Sequence, residues 1–245
     1  MSQEFYECID NLTLLENNLY HIEIELNREN LSYFRIARES HQALYRSMVE
    51  ALRGSANLAI TGRPKSKDKS VKYQKGNERF KEIHKITVNG CENAWRYSEP
   101  QVCEPPKIDY KKFDMRKTED YLKSFYDLLA MMQTECFMGR FVHSKLVYVD
   151  DKEMKLLEWL HEYIRNEYEH FIPKSYLAPR MDLTKASAIC IKKCYKLIFE
   201  SGNVIPNSVA ENIQLLLNTI RSKLFELLDK QQKLINNADR TSNST

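Results

Sequence analysis

The chain has 245 residues, and its 37 Lys and Arg nearly balance 34 Asp and Glu, for a formal net charge of +3. That length is enough to bury a sizeable core, while so small a net charge excludes any bulk electrostatic argument for nucleic acid, so a basic footprint must be local. With only 6 Gly and 7 Pro, the composition favours helix over a strand-rich fold.

Phe5, Ile9, Leu12, Leu15 and Leu19 recur at spacings of three and four, which predicts a helix over residues 3 to 18. From Ile22 to Leu52 the pattern is stronger, through Leu26, Phe34, Ile36, Leu44, Met48 and Leu52, and Gly54 suits its C-terminus. This stretch reads as the longest helix, with Asn27 to Asn30 as the place where it would break. The character then changes. In TGRPKSKDKSVKYQK, Arg63, Lys65, Lys67, Lys69, Lys72 and Lys75 stand against Asp68 alone, without apolar periodicity. Such a run is a solvated loop in the plain reading and a phosphate-tracking arm in the functional one, with Tyr73 available to stack on a base. A short helix is expected from Asn77 to Ile86. Pro100, Pro105 and Pro106 mark the irregular stretch from Cys91 to Lys112. Residues 54 to 117 therefore read as an excursion inserted between helices.

Helix is expected again from Thr118, through Tyr121, Leu122, Phe125, Leu128, Leu129 and Met132, to about Gly139. FVHSKLVYVDD reads as a short extended piece, after which Asp150 or Asp151 would cap the next helix. On that helix Leu157, Leu160, Ile164, Tyr168 and Phe171 form one apolar stripe. Glu162, Asn166 and His170 share a different face at i, i+4 and i+8, and Pro173 ends the run. Asp182 is expected to cap a helix that Ser201-Gly202 terminates. A last helix starts near Ser208 and runs through Leu228, and residues 236 to 245 read as a polar, frayed tail. The sum is an all-α protein, most economically an antiparallel bundle of about six helices.

No apolar run approaches the roughly 18 residues of a membrane span. The acidic start MSQEFYECID lacks the layout of a signal peptide, and six scattered cysteines suit reduced thiols in a cytosolic protein. No metal or nucleotide-cofactor signature occurs: Cys190-x3-Cys194 matches an apolar stripe, and His161-Glu162 begins an H-E-x-x-H motif that Arg165 breaks. No cofactor is expected. His21, His41, His84 and His143 have no local constellation and read as structural or surface residues.

What remains is Arg165-Asn166-x-x-x-His170. An R-N-x-x-x-H run near the end of a helix in an all-α chain resembles the R-x4-6-H motif of the HEPN superfamily, helical proteins that in many branches are metal-independent RNases of toxin–antitoxin, CRISPR and anti-phage systems. The wider stretch RNEYEHFIPK is similar to that of uncharacterised bacterial HEPN-like proteins, and HQALYRSMVEALRG suits the long first helix of their bundle. The resemblance covers about residues 22 to 53 and 118 to 235. It implies a homodimer, RNA as substrate, and an antitoxin or defence-complex partner. Ile172 stands where nucleotidyltransferase-paired toxins of the superfamily carry a tyrosine, a departure that argues against that class of antitoxin.

The chemistry implied is attack of a ribose 2′-OH on the adjacent phosphorus. His170 would move the protons, an effect worth roughly 10²- to 10⁴-fold. Arg165 would offer its planar fork to the phosphorane oxygens, and Asn166 would position phosphate or histidine. Arg63, Lys65, Lys67, Lys69, Lys72, Lys75 and Lys174 would be auxiliary RNA contacts. On a regular helix Arg165 and His170 diverge by about 140°, so one copy converges only if the last turn unwinds, whereas two copies across a twofold axis would share a cleft. The competing reading is a non-catalytic scaffold, with Arg165 paired to Glu162 or Glu169 and His170 capping the helix C-terminus.

Overall fold

Asp10 opens the first helix by accepting the Thr13 amide on its carboxylate at 2.7 Å. The structure, a computed structural model, describes residues 10–53, 60–62, 121–162, 177–204 and 208–242; Phe5, Ile9, the expected short helix from Asn77 and most of the inserted excursion lie outside them. Helix α1 spans Asn11–Leu26 and buries Leu12, Leu15, Leu19 and Ile22, the stripe that the spacing predicts. The stretch from Ile22 to Leu52 is two helices, interrupted across the expected break at Asn27 to Asn30. α1 ends at Leu26, and α2, Tyr33–Leu52, starts afresh on Ser32, whose side chain caps the Arg35 amide. Glu25 fixes the elbow: its carboxylate is buried and accepts the Ser32 amide at 2.7 Å.

Helix α2 is the centre of the packing. It lies against α1 on one side and against α6 (Arg180–Tyr195) on another, and α7 (Ser208–Ser242) covers both α1 and α6. Ile36, Ala37, Ala43, Leu44, Met48, Ala51 and Leu52 of α2 are buried in one continuous apolar cluster with side chains of α1, α6 and α7. A polar ladder runs along the α1–α2 seam. Asn11 donates to the Arg46 carbonyl, Asn18 donates to Glu39, and Arg46 Nε donates to Asn18. The polar groups of this ladder are thereby matched to one another, which is the condition for keeping them out of water.

Two corrections to the expected elements follow from caps and pairing. Thr118 lies outside the described residues, but Tyr121 and Leu122, expected to be helical, form a two-residue strand, β2 (Tyr121–Leu122), antiparallel to β1 (Thr61–Gly62). Helix α3, Phe125–Met131, begins after it because Ser124 and Asp127 form a reciprocal capping box. The short α4 occupies Glu135–Met138. Likewise Pro179, not Asp182, stands at the N-cap of α6, and Asp182 occupies its acidic first turn. Among the described residues the longest helix is α7, not the stretch from Ile22 to Leu52. Its backbone stays helical to Ser242, into the expected tail.

Residues 141–150 contain no helix, as their pattern predicts, and Asp150 caps α5, Asp151–Trp159. Lys193 of α6 is 3% exposed, and its ammonium meets the Tyr148 carbonyl and the Glu153 carboxylate, each at 2.5 Å. This buried pair seats the first turn of α5 on α6. At its far end α6 passes into a π-helical turn, Lys196–Glu200, and stops at Gly202, whose φ of 73° lies in the left-handed region. The described residues thus form an all-α bundle whose six helices of seven or more residues pack on one another, with one minimal strand pair beside it. Among the described residues, no helix is long and apolar enough to cross a membrane.

Candidate functional site

The described part of the candidate site is its foundation. Arg165, Asn166, His170 and Lys174 lie outside the described residues, as do Arg63, Lys65, Lys67, Lys69, Lys72 and Lys75. What leads into the motif is described as far as Glu162. The Asp150 side chain accepts the Lys152 and Glu153 amides at 2.9 Å, and Glu153 reaches back to the Asp150 amide at 3.2 Å. The Glu153 amide bond is the chief reason that the Asp150 carboxyl sits below its ordinary range. Burial works to raise the Glu153 carboxyl, but hydrogen bonds from Lys193, the Asp150 amide and Lys192 outweigh it, so this group too is held low. Leu157 and Leu160, the first two members of the expected stripe, are fully buried.

From Leu160 to Glu162 the helix widens into π-type turns, a distortion that is rare and concentrates at functional sites. There the chain presents two polar side chains to the bundle, and each finds a partner on a different helix. His161 Nδ1 and His41 Nε2 of α2 are 3.0 Å apart. Glu162 Oε1 accepts the Tyr126 hydroxyl of α3 at 2.9 Å. His41, Phe125 and Tyr126 are buried, whereas His161 and Glu162 are half-buried.

Aromatic contacts hold four of these five residues, His41, Phe125, Tyr126 and His161. The Phe125 ring lies 4.5 Å from His41 and 4.7 Å from His161, the latter at an interplanar angle of 12°. Tyr126 meets His161 edge-on at 5.0 Å. His41 and His161 also stack, with centroids 5.1 Å apart. Two imidazoles, two aromatic rings and a carboxylate therefore clamp the end of the described helix three residues before Arg165.

The arrangement has definite chemical capacity. In the His41–His161 bond one nitrogen must carry the hydrogen and the other the lone pair. The bond thus couples the tautomers of the two rings, while Tyr126 and Glu162 form a hydroxyl–carboxylate couple alongside. Neither couple was expected. His41 has no telling neighbour in sequence, and His161 looks only like the start of a broken metal motif. The single available signal is that His161 and Glu162 stand four residues before Arg165 and Asn166.

His21 and His143 are exposed, in keeping with their reading as structural or surface residues. His143 stacks on Phe141 with an interplanar angle of 7°, and His21 lines a cavity between α1 and α2. His84 lies outside the described residues. Cys190 and Cys194 are fully buried in the core cluster, as their place on an apolar stripe predicts. Burial pushes the Cys190 thiol well up and the Cys194 thiol to about 12. Among the described residues, no group of three His, Cys, Asp or Glu is placed to hold a metal ion. No family model, no curated protein and no solved structure matches the chain.

Proposed function

We propose that the chain is a metal-independent endoribonuclease of the HEPN type, a cytosolic bacterial toxin or anti-phage effector that works as a homodimer. The observation that carries this reading is the position of Arg165-Asn166-x-x-x-His170. The run begins three residues beyond Glu162, where the clamp of His41, Phe125 and Tyr126 ties the helix to the centre of an all-α bundle. A catalytic pair needs such a foundation, because displacement by about 1 Å costs on the order of 10²-fold in rate.

In this reading His170 takes the proton of the ribose 2′-OH or returns one to the leaving 5′ oxygen. Arg165 binds the charged phosphorane oxygens and Asn166 positions the phosphate. A twofold axis brings the Arg165 and His170 of two copies to one cleft. Arg63, Lys65, Lys67, Lys69, Lys72, Lys75 and Lys174 follow the RNA backbone, and a defence or antitoxin partner restrains the activity.

The test is cleavage of end-labelled single-stranded RNA and bulk tRNA in EDTA by the parent protein, His170→Ala and Arg165→Ala. Fragments ending in cyclic phosphate, made by the parent alone, are expected. No cleavage by a folded, dimeric parent would overturn the reading. The clamp also favours one rival, a non-catalytic scaffold that binds RNA or protein, because His161 and Glu162 brace helices as a scaffold requires. Under that rival His170→Ala leaves the biological effect of the protein intact.

A further inference from the structure

The elbow between α1 and α2 forms an open cavity of about 280 Å³, lined by His21, Glu25, Arg28, Arg35, Arg38 and Glu39 together with the flank of Ile24. Three guanidinium groups face two carboxylates there, which leaves one positive charge in excess with His21 neutral. The two carboxylates are buried and committed. Glu25 holds the Ser32 amide at 2.7 Å through Oε1, and Arg28 at 3.0 Å and Arg35 at 3.8 Å through Oε2. Glu39 holds Asn18 at 2.7 Å through Oε2 and the Arg38 fork at 2.6 and 3.2 Å through Oε1.

The arginines are held but not used up. Arg28 and Arg35 are each tethered through one Nη1 atom, and a guanidinium has five N–H donors. All three side chains are 45–60% exposed, so their remaining donors are reachable from solvent. Buried carboxylates that pin the edges of several guanidinium groups do what an outer shell does for an anion site: they orient the donors before a ligand arrives, which lowers the entropic cost of binding. The cavity has room for more than a single small ion, since liquid water takes up about 30 Å³ per molecule.

We propose that this elbow cavity binds a phosphate group. Planar guanidinium forks on Arg28, Arg35 and Arg38 match phosphoryl oxygens by paired N–H···O bonds, and the excess positive charge favours a phosphate over a neutral ligand. Ile24 and the His21 ring form the wall against which the rest of the ligand rests. The same phosphoryl chemistry has two sources, a free mononucleotide or the backbone of RNA.

Calorimetric titration of the full chain tests it with inorganic phosphate, with a nucleoside 5′-monophosphate, and with a single-stranded oligonucleotide lacking a terminal phosphate. Each is repeated on Arg35→Ala, on Arg35→Ala/Arg38→Ala and on His170→Ala. Binding of phosphate and mononucleotide that weakens about tenfold or more per guanidinium removed is expected, because bonds to charged groups are the strong ones. His170→Ala should leave it unchanged. Binding by the oligonucleotide alone, weakened by the same arginine variants, would assign the cavity to an RNA backbone phosphate. The proposal is overturned if none of the three binds at millimolar concentration, or if the double variant melts at the parent temperature and binds them equally well.

Discussion

His41 and His161, separated by 120 residues of chain, meet Nε2 to Nδ1 at 3.0 Å. The bond needs one unprotonated nitrogen, so it also fixes the relative tautomers of the two rings. His41→Phe keeps a ring against Phe125 and removes the bond, for an expected loss of about 1 kcal/mol in a urea denaturation series. His41→Ala also empties a buried site beside Phe125, and the loss should rise to about 3 kcal/mol. A midpoint unchanged in both variants would show that the clamp contributes nothing to holding the helix.

Lys193 offers a sharper test, because it is a buried ammonium with a defined partner. Lys193→Met strips Glu153 of its closest cation and should cost about 3 kcal/mol, while Lys193→Met/Glu153→Gln should recover most of that loss. The pH dependence has a definite sign. The folded Glu153 carboxyl lies below its ordinary 4.5, so it contributes stability above that pH. That contribution is lost as pH falls through the folded value. Thermal melts between neutral and acid pH should therefore show a shallower acid-side decline for Lys193→Met than for the parent.

The two buried thiols should be chemically silent in the native protein. Since the thiolate is the nucleophile, thiols raised as far as those of Cys190 and Cys194 offer almost none of it at neutral pH. Their modification by a disulfide reagent, mapped by peptide mass, should proceed at the rate of global unfolding. Raised thiols contribute stability below their ordinary value of 9.0, which is lost progressively above it. Fast labelling of Cys194 in native buffer would contradict its burial.

Gly202 is the one described glycine with a left-handed backbone. A Cβ added there would stand 2.6 Å from Cδ2 of His143, whose ring stacks on Phe141. Gly202→Ala combines backbone strain with displacement of that ring and should cost about 2 kcal/mol. Gly202→Ala with His143→Ala should recover the steric part and leave the backbone part. Equal losses in the single and double variants would show that the ring gives way freely.

Much of the helical content is legible in the chain because it is written locally. The stripe Leu12, Leu15, Leu19 and the Asp150 cap each depend on residues within a turn or two of one another. What was misread depends on distance in one case and on local backbone geometry in the other. Tyr121 and Leu122 look helical until they are paired with Thr61 and Gly62, on the far side of the inserted excursion. Pro179 starts α6 before Asp182 can, since its fixed φ presets the turn where side-chain capping alone suggests a later start. At the candidate site the local run Arg165 to His170 is visible in sequence. The His41–His161 and Tyr126–Glu162 couples are not, because no periodicity relates helices brought together only by the fold.

The far end of α7 has a consequence for how the molecule opens. Gln231 still donates to Thr184 on α6 at 3.2 Å. Beyond it residues 232–237 are exposed, including Leu234 at 70%, with short-range ties such as Lys233–Asp229 and Gln232–Asn236 along the helix itself. A helical segment sustained mainly by its own turns is marginal in water. Amide exchange along α7 should therefore follow a gradient, with protection near Leu217, Ile220 and Leu224 approaching that of the whole fold and falling steeply past Gln231. A chain cut after Gln231 would lose the fast-exchanging end and keep the slow one, so the same helix acts as cornerstone at one end and as a free-running spar at the other.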